Sequence, residues 1–169
     1  MARTEEHFIW TDDYAARLNN LEHQARAAKE DSTPLLGGEA DPLLEIAEQY
    51  EALKAEADAA GLRVVLRGLR DDEWDELIET HPPRTEDQFE SDKKLGFNEK
   101  TGTRALVHAA LVEPKFDSRS RFDDWIREHN LTRGDVAALG AKAWALTNGM
   151  GYSDPKSLRP LPTRDADED

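Results

Sequence analysis

The 169-residue chain contains no cysteine. Disulfide staples and thiolate metal sites are therefore excluded, and the fold must hold by packing alone. Long apolar runs are missing too. None approaches the roughly 20 residues that a membrane-spanning helix needs. The first residues, MARTEEH, lack the apolar core of a secretion signal. Positive charge is scarce: 22 Lys and Arg stand against 36 Asp and Glu, a formal net charge of −14. Such a surface repels phosphate backbones and anionic lipid, so neither nucleic acid nor membrane is an expected partner. It favours solubility at high concentration, and the expected location is a cytoplasm.

Signatures of chemistry are equally sparse. His7, His23, His81, His108 and His129 show no metal-binding spacing. No nucleophile with a histidine and an acid, no glycine-rich phosphate loop and no nucleotide fingerprint is legible. The acidic run Asp71, Asp72, Glu73, Asp75, Glu76 lacks the spacing and the glycine of a calcium loop. Negative charge at a helix start explains it instead. The expectation is a protein that is not an enzyme, with no cofactor and no metal. His108 lies among small and apolar residues and reads as a hydrogen-bonded interior histidine.

What is present is helical. Apolar residues are 38% and charged residues 34%, enough for one modest core or for a core with an appendage. Thr11 is a plausible N-cap, followed by Asp12 and Asp13. Tyr14, Leu18, Leu21, Ala25 and Ala28 then recur in steps of four and three. Asp31 to Ala40 contains Pro34 and Gly37-Gly38 and reads as a linker. Asp41 and Pro42 start a second helix, on which Leu43, Ile46, Tyr50, Leu53, Ala57 and Ala60 repeat the same alternation up to Gly61. Two matching seams joined by a short connection predict an antiparallel helical hairpin over 1–61. Tyr14, Leu18, Leu21, Leu43, Ile46, Tyr50 and Leu53 are its candidate partner-binding residues, by way of a helix laid along the seam.

Residues 62–149 read as a helical core domain. Leu62, Val64 and Leu66 alternate with Arg63, Val65 and Arg67, the period of a half-buried strand. Its partner is not legible; Phe8 to Trp10, a neighbouring subunit or a covering helix would each serve. Four helices are expected after it. The first carries Trp74, Leu77 and Ile78 and stops at His81-Pro82-Pro83. The second starts near Thr101 or Thr103 and runs through Leu106 and Leu111. The third carries Phe122, Trp125 and Ile126. The fourth starts at Thr132 and carries Val136, Leu139, Ala143 and Leu146. Trp74, Leu77, Leu111, Trp125 and Trp144 are the expected core. Residues 150–169, with three prolines and an acidic DADED, read as a disordered tail. The fold class is mainly α: a helical hairpin, a compact helical bundle and one short strand segment.

Trp74 with Leu77, His81-Pro82-Pro83, Gly96-Phe97-Asn98 and the Ala105-to-Leu111 helix running into Val112-Glu113-Pro114 resemble the tail assembly chaperones of long-tailed phages, especially those of actinobacteria. The resemblance spans roughly Asp41 to Asn148 and leaves the first helix uncovered. Its motifs are structural. It implies a protein that binds the tape measure protein during tail assembly, keeps it soluble in the host cytoplasm and is absent from the finished virion. It also implies partners beyond the tape measure protein: further copies of the chain, and a longer product made by translational frameshift. Two other classes compete. One is a structural virion or scaffold protein of the tail or connector. The other is a helix-turn-helix DNA-binding regulator built from Ser118 to Gly149; from Glu113 to Gly149, Lys and Arg are matched by as many Asp and Glu.

Overall fold

A computed structural model describes residues 3–31 and 41–149. The linker after Asp31 and the tail from Met150 lie outside the described residues. The protein is mainly helical with a small three-stranded antiparallel sheet. Its described residues fall into two compact units, one of residues 10–31 and 41–62, the other of residues 3–9 and 63–149.

The first unit holds α1 (Asp12–Glu30) and α2 (Pro42–Ala60), each of 19 residues. Thr11 caps α1 by backbone conformation, without a side-chain hydrogen bond. Asp41 caps α2 fully, its carboxylate accepting from Leu43 N at 2.9 Å, and Pro42 sits where no amide donor is needed. Trp10 Nε1 donates to Asp58 Oδ1 at 2.7 Å and Tyr50 Oη meets Glu22 Oε1 at 3.3 Å. Those contacts run in opposite senses along the two helices, which therefore lie antiparallel.

The second unit contains the sheet. One strand segment was expected from the alternating run alone; among the described residues there are three strands, β1 (Thr4–Ile9), β2 (Leu62–Arg67) and β3 (Leu111–Glu113), in the order β1-β2-β3. Residues 4–9, grouped by sequence with the helical hairpin, are an edge strand here. Gly68 N donates to Arg3 O at 3.0 Å, and Arg63 reaches Glu6, so β1 runs antiparallel to β2. On the other side Val65 faces Glu113 and Leu66 faces Leu111, with an irregularity between them. Val64 and Leu66 are fully buried on one face of β2. Arg63 on the other face spans the sheet, donating to Glu6 at 2.5 Å and Glu113 at 2.7 Å. Opposite charges across neighbouring strands stabilise both pairings.

Five helices follow or interrupt the strands: α3 (Asp71–Thr80), α4 (Glu90–Leu95), α5 (Glu99–Ala110), α6 (Arg119–Glu128) and α7 (Arg133–Thr147). Four helices were expected here; α4 is a fifth, between the His81-Pro82-Pro83 stop and the start of the next expected helix. Helix α5 starts earlier than Thr101, because Asn98 Oδ1 accepts from Lys100 N and Thr101 N and so acts as the N-cap. It also ends earlier: Leu111, read as helix, opens a strand, Leu111–Glu113, that pairs with β2. α5 packs against α7 and α3 at the centre. Leu77, Leu111 and Trp125 are buried as expected. Trp74 and Trp144 are only half-buried; the Trp144 indole donates to Leu95 O, at the end of α4, at 3.0 Å.

Candidate partner-binding surface

In the first unit the candidate seam turns inward. Leu18, Tyr50, Leu53 and Ala57 form one buried cluster, with Trp10, Tyr14 and Leu21 packed at its margin. Five of the seven candidate residues thus meet: Tyr14, Leu18, Leu21, Tyr50 and Leu53. Leu43 is buried and Ile46 half-buried, both outside that cluster. The seam is thin for two helices of 19 residues. Leu18 and Ala25 on α1, with Leu43, Tyr50, Leu53 and Ala57 on α2, are the buried side chains. Leu21 and Leu53 also border an open groove of about 400 Å³ along the helix pair, rimmed by Arg17, Asn20, Gln49 and Glu56. Leu44 projects from the same helix with 59% of its surface exposed. Sequence reasoning passed over Leu44 because it falls between two seam positions.

In the second unit the residues that carry the resemblance converge. Trp74 on α3 meets Phe97 edge to face, with ring centroids 5.9 Å apart. His81 O accepts from Asn98 N at 2.9 Å, and His81 Nδ1 lies 3.0 Å from Thr101 Oγ1. Gly96 supplies the left-handed turn, φ 84°, that ends α4. Phe97 is 2% exposed and lies directly on Gly102 of α5. Motifs 74–81, 96–98 and 101–111 are therefore parts of one packed knot.

Two ion pairs brace this knot. Arg67 grips both oxygens of Glu73 at 2.6 Å and also donates to Ala109 O at 3.2 Å. That guanidinium holds the Glu73 carboxyl down to about 2. Asp92, with no exposed surface, accepts from Arg84 through Nε, Nη2 and the backbone N, and from Glu99 N. Its carboxyl is held well below the usual range, chiefly by Arg84. No sequence signal marked Asp92 out among so many surface acids.

His108 departs from expectation. Its ring tilts against Phe122 at 5.4 Å, but among the described residues Nε2 is buried without a hydrogen-bond partner. Among the described residues no group of three His, Asp or Glu side chains is placed to hold a metal ion. No helix among them is long and apolar enough to cross a membrane. Comparison with family models, with curated proteins and with solved structures gives no match for this chain.

Proposed function

We propose that the chain is a tail assembly chaperone of a long-tailed phage, which binds the tape measure protein in the host cytoplasm and keeps it soluble while the tail is built. In this reading α1 and α2 form a helical hairpin appended to a compact helical bundle. The protein carries out no reaction and needs no cofactor. It lends apolar helix surface to a client helix, and its negative charge keeps the loaded complex from associating.

The observation that carries the reading is the thin seam between α1 and α2. The helices bury few large side chains against each other, so exchanging one of them for a client helix sacrifices little packing. Leu21 and Leu53 already border an open groove, and Leu44 stands exposed elsewhere on α2. The convergence of Trp74, His81, Phe97 and Asn98 in one knot also supports the resemblance, since those residues serve a common structural purpose.

The test is co-expression of the full chain with the tape measure protein encoded near its gene. Co-purification and a shift of the tape measure protein into the soluble fraction are expected, and Leu18→Asp with Leu53→Asp should abolish both. Insoluble tape measure protein at unchanged yield, or recovery of the chain in mature particles, overturns the proposal.

A further inference from the structure

A cleft in the second unit carries the opposite charge to the chain as a whole. It holds about 500 Å³ and is lined by Arg84, Lys100, Arg104 and Arg133 against a single acid, Glu99. The chain around it has a formal net charge of −14. Val136 and Ala137 of α7 form its apolar wall.

The four cations are not equivalent. Arg84 is committed to Asp92 at 2.8 and 2.9 Å, and its guanidinium lies 3.7 Å over the Phe89 ring. Arg104 donates to Asp123 at 3.1 Å. Lys100 and Arg133, both exposed, form no ion pair among the described residues. The backbone donors at the start of α5 are also taken: Glu99 N by Asp92, and Lys100 N and Thr101 N by Asn98. Thr132 Oγ1 takes Asp135 N at the start of α7. The capacity to bind an anion therefore rests on the two uncommitted side chains, since the charges of Arg84 and Arg104 are offset by Asp92 and Asp123.

We propose that this cleft docks an acidic peptide segment of a partner protein, with Lys100 and Arg133 as the contact cations. Charge complementarity selects the occupant. Lys100 and Arg133 line the same cleft, so a short acidic segment seated in it can bring carboxylates to both. A nucleic-acid duplex, with one charge per roughly 1.7 Å, would extend over the acidic remainder of the chain and be repelled by it. The apolar wall at Val136 and Ala137 suits the methylenes of Glu rather than bare phosphate. The site is separate from the α1–α2 seam, so it stands or falls independently of the chaperone reading.

The test is fluorescence anisotropy of labelled hexaglutamate with the full chain at low salt. Saturable binding is expected, lost at high salt and weakened about tenfold by Lys100→Glu or Arg133→Glu, as for a contact worth ~1.4 kcal/mol. Lys100→Ala should weaken it less, and Arg26→Glu, on α1, should leave it unchanged. Far-UV circular dichroism checks that each variant folds. Absence of binding, or an equal loss in Arg26→Glu, overturns the proposal. So does tighter binding of a random-sequence duplex DNA, or displacement by equimolar inorganic phosphate. Binding seen only after Asp165→Asn, Asp167→Asn, Glu168→Gln and Asp169→Asn are combined would make the chain's own acidic segment the occupant and also overturn it.

Discussion

Arg84 and Asp92 make a fork-to-fork pair, the guanidinium donating at 2.8 Å to one carboxylate oxygen and at 2.9 Å to the other, and the same carboxylate holds the first amide of α5. Asp92 has no exposed surface. One carboxylate therefore ties the loop after the double proline, helix α4 and the start of α5. Replacing Asp92 with Ala strands two amides and unpairs a partly exposed guanidinium, whereas each interaction lost with a surface ion pair is small. The melting temperature of Asp92→Ala should fall by roughly 10 °C. Asp87→Ala, which removes an exposed pair to Lys93, should leave it nearly unchanged.

Gly102 presses on Phe97. An added Cβ would lie 2.5 Å from the ring and 3.3 Å from His81 Cβ. Alanine at this position gains about 1 kcal/mol of helix propensity. The buried ring, packed edge to face with Trp74, cannot yield freely, and overpacking of this kind costs about 1–3 kcal/mol. Gly102→Ala should be net destabilising in chemical denaturation despite improving the helix; a stabilised variant would show that Phe97 moves easily.

The Glu73 carboxyl, held at about 2 against an ordinary 4.5 by Arg67, makes stability depend on acid. Its folded-state pKa is depressed, so its contribution is complete above 4.5 and is lost as pH falls from there toward 2. Thermal melts of the native chain should steepen in that window. In Glu73→Gln the slope should be shallower and the neutral-pH stability lower.

Hydrogen exchange should separate the two units. Amides of α1 and α2, held by a thin seam, should exchange faster than those of α5, which is packed by α3 and α7. Leu18→Ala should cost about 2–5 kcal/mol and accelerate exchange selectively in α1 and α2. Uniform protection across both units would show that the seam does not open separately.

Leu44 gives a contrast within α2. With 59% of its surface exposed, Leu44→Gln should change stability by no more than about 0.5 kcal/mol. In the co-expression assay the same change should lower recovery of the client. Unchanged recovery would place the client's contact elsewhere.

Local sequence carries most helix starts and the apolar face of most long helices, although the Asn98 cap and helix α4 went unread. Asp41, Asn98, Ser118 and Thr132 cap through their own side chains, and the alternation from Leu62 to Arg67 foretold which face of β2 is buried. These features depend on residues within about four positions of one another, so they are legible along the chain. The tertiary structure decided what lay beyond that range. Three residues after an alanine-rich helix look helical until β2, some 45 positions earlier, offers a strand edge to pair with. Nothing local distinguishes Asp92 from its exposed neighbours; burial does, once Arg84 and the α5 amide close over it. The candidate seam was visible in its spacing, but whether it faced solvent or a second helix depended on α2 folding back along α1. Likewise Arg84, Lys100 and Arg133 are scattered over the sequence and became one basic cleft only when the starts of α5 and α7 came together.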